Sequence, residues 1–186
     1  RYMEAFGLGH LTGIELYGET GGRLKAPGDA DWVDADLGTN AFGQGIAATP
    51  LQMIAAVSAL ANDGKMMAPH ILKAYIQDGV QYGTTPQVLG QPITAETAHT
   101  LTDMLATSLE QEASDALVEG YRIAGKTGTA ENPHGASHSW FVGFAPADRP
   151  QLAVAVLVEH GGYGSATAAP IARDLLLRAV DLGLIE

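Results

Sequence analysis

The chain contains no cysteine, which excludes disulfides and thiolate metal sites. It also lacks any apolar run near the roughly 18 residues that cross a bilayer. Positive charge is scarce. Ten Lys and Arg stand against 21 Asp and Glu, for a net charge of -11. Such a chain has no net positive field to draw in a phosphate polymer, so nucleic acid is not expected as a partner. An initiating methionine is missing too. The chain opens on Arg1-Tyr2-Met3-Glu4 without a signal-peptide pattern, as an excised piece of a longer protein would. No internal repeat or low-complexity tract is found.

What remains is a chain of 186 residues, a one-domain length able to bury a sizeable core. Its 23 glycines exceed the usual share of roughly 7% and imply many turns and close backbone approaches. They crowd residues 1–45, which read as an irregular wrap over a core elsewhere. A helix follows. Thr49 caps it, Pro50 takes the first position, and Leu51, Ile54, Ala55 and Ser58 recur at helical spacing until Asn62-Asp63-Gly64. Residues 68–92 read as short strands and turns. Thr94 caps a second helix, with Glu96 in its first turn and Ala98, Leu101, Leu105 and Leu109 as its buried stripe. The acids at 110–119 predict a solvated segment.

The last third changes character. Tyr121–Ala130, Ser139–Ala145 and Gln151–Glu159 read as three strands with connections short enough for an antiparallel meander. Residues 152–158 are apolar throughout, which predicts a central strand covered on both faces. Pro170 opens a last helix whose apolar side is Ile171, Leu175, Ala179 and Leu182, expected to cover one face of the sheet. The fold class is therefore mixed α+β, an antiparallel sheet flanked by helices.

One stretch carries chemistry: Ala124-Gly125-Lys126-Thr127-Gly128-Thr129-Ala130. A lysine on a sheet edge is a fixed positive charge. The neighbouring hydroxyls donate to anionic oxygens, and Gly128 removes a side chain that would block a docking strand. An extended peptide could add to this edge, its carboxylate held by Lys126, Thr127 and Thr129. The amide after Gly128 could face a developing oxyanion. Strict alternation puts Lys126 and Thr129 on opposite faces, so local twist at Gly128 would have to bring both to one site.

Other patterns compete. Gly120 to Thr127 satisfies the P-loop spacing, which would make this a nucleotide hydrolase. But the preceding residues are acidic, not an apolar strand, and Gly128 and Pro133 forbid the required helix. His134 and His138 have the spacing of a helical metal pair, but Pro133 and Gly135 prevent the helix, so they read as a solvent loop and no metal is expected. Trp140, Phe141 and Phe144 read as core. Glu159 reads as a structural acceptor. Asp29, Asp31, Asp34 and Asp36 surround Trp32 without the glycine and terminal glutamate of a calcium loop, and read as a solvated turn.

In order, the motifs resemble the penicillin-binding-protein transpeptidase domain of the class B type. They are Gly7-Leu8-Gly9-His10-Leu11-Thr12-Gly13-Ile14, Phe42-Gly43-Gln44-Gly45, Thr49-Pro50-Leu51-Gln52, Ala61-Asn62-Asp63-Gly64, the Lys-Thr-Gly stretch and Ser139-Trp140-Phe141-Val142-Gly143-Phe144-Ala145-Pro146. Ala168-Ala169-Pro170 completes the set. The resemblance implies a serine acyl-transferase that cross-links peptidoglycan stem peptides and is acylated by β-lactams, without a cofactor. It implies catalytic roles for Lys126 and for the Thr129 N–H, and carboxylate binding by Thr127 and Thr129. Gly128 gives room for the ligand. Gly43-Gln44-Gly45 is structural and near the site. It further implies the outer face of the cell membrane, an anchor elsewhere, and work in cell division or elongation.

The departure is the nucleophile. The family uses Ser-x-x-Lys, but Ser58, Ser108, Ser114, Ser137, Ser139 and Ser165 are followed three places on by Ala61, Gln111, Leu117, Trp140, Val142 and Ala168. The second motif, Ser-x-Asn, is absent as well. Residues 1–186 therefore read as the C-terminal portion of one such domain, inactive by itself. The missing N-terminal part is its expected partner, and exposed apolar surface predicts self-association. The alternative is a non-catalytic module that binds peptides or a partner through the same sheet edge.

Overall fold

The computed structural model describes residues 1–186. Its N-terminal third is an irregular wrap holding helix α1 (Tyr2–Ala5), strand β1 (Arg23–Leu24), helix α2 (Ala35–Ala41) and strand β2 (Ile46–Ala47), which pairs with β1. Helix α3 (Pro50–Ala61) begins as the sequence predicts. The Thr49 hydroxyl accepts from the Gln52 N–H at 3.1 Å, and Gln52 Oε1 accepts from the Thr49 N–H at 2.9 Å, a reciprocal cap that satisfies two orphan donors.

The same Gln52 side chain anchors the wrap. Its Nε2 donates to the carbonyls of His10 at 2.8 Å and Gly21 at 2.7 Å. The residue is 1% exposed, so its buried amide depends on these carbonyls for its partners. Helix α3 ends where Asp63 and Gly64 turn left-handed at φ 54° and 77°. A Cβ on Gly64 would lie 2.2 Å from the Ile93 carbonyl oxygen, so only glycine fits.

Two ribbons follow. Strand β3 (Met66–Met67) pairs with β6 (Val88–Gly90), and β4 (Ala74–Gln77) pairs with β5 (Val80–Gly83). The β4–β5 turn is Asp78-Gly79 with both φ positive, the chemistry a tight hairpin requires. Helix α4 (Ala95–Glu112) is capped by Thr94 and buries Ala98, Thr102, Ala106 and Leu109. This turns the expected stripe slightly, since Leu101 and Leu105 are only half-buried. Small side chains take the buried line because α4 packs close on the sheet. The acids that follow are exposed, but the segment is not simply solvated. A 3-10 turn at Ser114–Ala116 puts Ala113, Ala116 and Val118 into the core.

Strands β7 (Ala124–Ala130), β8 (His138–Ala145) and β9 (Leu152–Val158) form the predicted antiparallel meander. Strand β7 starts later than expected, because Tyr121 only bridges to Val118. Their order is β7-β8-β9. The central strand is β8, and β9 is an edge. Its apolar run has another cause, since α3 packs on one face of β9 and helix α5 (Ala168–Asp181) on the other. Composition reports coverage of the faces, not pairing of the edges.

The larger core lies between α5 and the sheet, around Phe141, Val154, Val156, Ala172 and Leu176. A smaller one on the opposite face joins Val57 and Ala106 to Ala124 and Phe144. The buried line of α5 is Ala168, Ala169, Ala172, Leu176 and Ala179. Of the expected line only Ala179 is buried. Ile171, Leu175 and Leu182 are 40%, 50% and 58% exposed. Alanines let α5 approach the sheet, and the bulkier side chains rotate to its flank. No helix is long and apolar enough to cross a membrane.

Candidate functional site

A cavity of about 590 Å³ opens between the β7 side of the sheet, the turn at Phe42–Gln44, strand β2 and the first turn of α3. Regular pairing builds its floor. Lys126 lies opposite Val142, Gly128 opposite Trp140 and Ala130 opposite His138. Trp140 in turn lies opposite Leu157. Alternation places these side chains on one face, the one that carries α3. Met53, Ala47 and Ala48 close the apolar wall.

Lys126 reaches the cavity as a half-exposed cation. Its Nζ lies 3.6 Å from Glu112 Oε2 at the end of α4, and Glu112 also accepts from the Ser108 hydroxyl at 3.2 Å. An exposed pair of this kind stabilises by no more than about 1 kcal/mol, so the ammonium is easily recruited by another anion. A Cβ on Gly128 would meet the Trp140 Cβ at 3.3 Å, and anything larger would fill the floor. Gly128 keeps the strand surface open.

Thr127 and Thr129 border the same cavity, but from the other face. Pairing is continuous from Ala124 to Ala130, so no bulge at Gly128 rotates Thr129 onto the side of Lys126. The Thr129 hydroxyl instead accepts from the Gly164 N–H at 3.2 Å. Its own proton stays available for donation. Gly164 presses on the strand there, since a Cβ would lie 2.3 Å from the Gly128 carbonyl oxygen. Lys126 and Gly128 thus open on the cavity face, and Thr127 and Thr129 lie on the other face of the strand.

Several residues differ from their sequence reading. His138 is not in a solvent loop. It opens β8, is half-buried, and borders the cavity. Its Nδ1 accepts from the His160 N–H at 3.0 Å. His134 is on the exposed loop, where its N–H donates to Asn132 Oδ1 at 2.9 Å. Phe141 and Phe144 are core, but Trp140 is half-buried and forms cavity floor. Glu159 is exposed at the cavity rim rather than a structural acceptor. Phe42, Gly43 and Gln44 line the cavity, as the near-site reading expects. Nothing local along the chain pointed to Met53 or Leu157, whose place in the lining depends on register and on packing between distant segments. No three His, Asp or Glu side chains converge as a metal site requires. Lys126 and Thr127 sit inside an extended strand, where a P-loop would begin a helix, so the nucleotide reading fails.

The wrap that supports the cavity wall is held by carboxylates. Asp36 is buried, and so is not part of a solvated turn. The Val33 N–H, then Lys25 at 3.3 Å, hold its carboxyl below the ordinary 3.8. Arg23 and Lys25 also pair with Asp31. Glu19 is held below 4.5, chiefly by the Thr12 hydroxyl at 2.6 Å and also by the Thr12 and Gly13 N–H groups. Glu15 is lowered first by the Ile71 N–H at 3.1 Å. Each folded carboxyl binds its proton less readily than the unfolded one. Its stabilisation is therefore complete above the unfolded value and is lost as pH falls through the folded one. The melting temperature should be flat from pH 7 to about 5 and fall below about 4.5. Glu19→Gln should flatten part of that fall when melting is followed by circular dichroism.

Residues 1–177 match the family model of the penicillin-binding protein transpeptidase domain. The chain belongs to that family. Its relatives are of the class B kind. It is 39% identical over 194 residues to stage V sporulation protein D of Bacillus subtilis, covering 95% of this chain and 29% of that protein. It is 33% identical over 210 residues to the peptidoglycan D,D-transpeptidase MrdA of Haemophilus influenzae, covering 94% and 31%. Penicillin-binding protein A of M. tuberculosis, solved as a ceftriaxone acyl-enzyme complex, superposes with a TM-score of 0.84 at 30% identity, over 96% of this chain and 42% of that one. The chain thus spans about three-tenths of the length of these curated relatives.

Proposed function

We propose that this chain is the C-terminal, sheet-bearing portion of a peptidoglycan D,D-transpeptidase domain that cross-links stem peptides by serine acyl transfer. The observation that carries the reading is the edge strand β7, which presents Lys126 and Gly128 to an open cavity. A stem peptide, or a β-lactam that mimics its end, docks along this edge. Its carboxylate is held by Lys126 and by hydroxyl donation from Thr127 and Thr129. The Thr129 N–H is one half of the oxyanion hole.

In the reaction, a serine oxygen attacks the carbonyl between the two terminal D-alanines. The last D-alanine leaves, and an amine of a second stem resolves the ester. The serine comes from the remainder of the domain, since none of the six serines here stands in Ser-x-x-Lys. The site faces the outer side of the cell membrane, where its substrate is. The match to the family and the β-lactam acyl-enzyme of a structural neighbour support this reading.

Incubation of the 186-residue chain with a fluorescent penicillin, followed by denaturing electrophoresis, should leave it unlabelled. The same chain joined to the Ser-x-x-Lys-bearing part of its domain should label. A labelled band from the short chain, or none from the joined one, overturns the proposal.

A further inference from the structure

Thr129 is held from behind by a segment with no part in the proposed machinery. In the β7–β8 pair Thr129 lies directly opposite Ser139. Both side chains therefore rise from the face that carries α5, the face of Phe141. The segment Gly161–Gly164, between β9 and α5, lies across that face and is bonded to each of them. The Ser139 hydroxyl donates to the Gly162 carbonyl at 2.9 Å. The Gly164 N–H donates to the Thr129 hydroxyl at 3.2 Å. Two further bonds hold the segment down. The Gly162 N–H donates to the Ser137 carbonyl at 2.9 Å, and the Thr167 hydroxyl donates to the Gly161 carbonyl at 2.8 Å. The approach is close, since a Cβ on Gly161 would lie 2.9 Å from Ser139 Oγ. All of these bonds are made within residues 129–167, so they do not wait on the remainder of the domain.

We infer that Ser139 and the Gly161–Gly164 strap are positioning elements for Thr129, setting the direction of its hydroxyl proton and so the preference for a ligand that carries a carboxylate. The inference rests on the transpeptidase reading, which gives Thr129 that carboxylate. A threonine hydroxyl has one proton and two lone pairs. The Gly164 N–H occupies one lone pair, so the proton turns away from the strap and is left for an anion. A hydrogen bond to an anion is about twice as strong as a neutral one, and it weakens steeply as the angle closes. Direction therefore decides how much of it is realised. Ser139 is 0% exposed, and a buried hydroxyl of this kind spends its proton on a fixed partner. That partner is the middle of the strap. Loss of the Ser139 hydroxyl frees Gly162, shifts the Gly164 N–H two residues on, and releases the Thr129 hydroxyl to rotate.

The test uses the domain with its nucleophile-bearing part restored. It reads the ratio of acylation rates for a penicillin and for its methyl ester, which lacks the anionic charge. Thr129→Val keeps the shape and the N–H, and should lower the ratio about tenfold, as the loss of one hydrogen bond to a charged group. Ser139→Ala should lower it about fivefold, and no further where Thr129 is already valine, because the serine acts through the threonine. A merely structural serine would slow both compounds alike and leave the ratio in place. Hydrogen exchange in the peptide spanning residues 160–166 should be about fivefold faster in Ser139→Ala, with β9 amides little changed. A ratio that either variant leaves within about twofold of wild type would overturn the inference. So would full additivity of the two losses, or a strap that exchanges alike with and without the serine. A restored wild-type domain that neither compound acylates would overturn the transpeptidase reading, and this inference with it.

Discussion

Replacing Gln52 by alanine should lower the stability of the fold by about 2–3 kcal/mol, summed from two lost hydrogen bonds to carbonyls of the wrap at about 0.5–1.5 kcal/mol each and a damaged helix cap. Those carbonyls belong to His10 and Gly21, 42 and 31 residues away in sequence. The effect therefore reaches the whole wrap, not one turn of α3. Urea unfolding measures it. Thr49→Ala, which removes the cap acceptor but leaves the Nε2 donor in place, should cost only about 1 kcal/mol. Gln52→Glu separates the two roles. It keeps an acceptor for the Thr49 N–H but turns a carboxylate oxygen toward two carbonyl oxygens, and should be at least as damaging as alanine. If Gln52→Ala costs no more than Thr49→Ala, the side chain is a cap and nothing else. The functional consequence follows from position, because the neighbouring Met53 and strand β2 form the cavity wall.

Lys126→Ala, in the domain with its nucleophile-bearing part restored, should reduce acylation by penicillin on the order of 100-fold. The reason is the loss of the fixed charge that the proposed function sets beside the carboxylate and the reacting serine. The melting temperature should scarcely move, since Lys126 is half-exposed and its pair with Glu112 is a surface pair. Lys126→Arg should recover part of the rate, because the charge survives while the point-like ammonium geometry does not. A rate within threefold of wild type for the alanine variant would remove Lys126 from the proposed machinery. A large fall in melting temperature would instead assign it to the fold.

Much of this was legible in the residues. The caps at Thr49 and Thr94, the stop at Asn62-Asp63-Gly64 and the three-stranded meander each rest on short-range rules, and they are where those rules put them. Local rules failed where neighbours far along the chain decide the outcome. The apolar run of β9 suggested a central strand, but it is apolar because two helices cover its faces while its outer edge is open. The leucines of α5 suggested its buried line, but the alanines won, since close approach to the sheet favours small side chains. His138 read as a loop residue and Glu159 as a structural acceptor at a strand end, but both border the cavity, a fact that depends on register.

The residues alone determined the chemistry on offer: a lysine, two hydroxyls and a glycine on one strand, with no serine placed to attack. That much is local, because side-chain type and strand period are written along the chain. Only the folded arrangement decided that Lys126 and Gly128 share a face with Trp140 and Val142, and that Thr129 turns to Gly164 on the other. Pairing and packing join segments tens of residues apart, and their free energies belong to the assembled molecule rather than to any stretch of it.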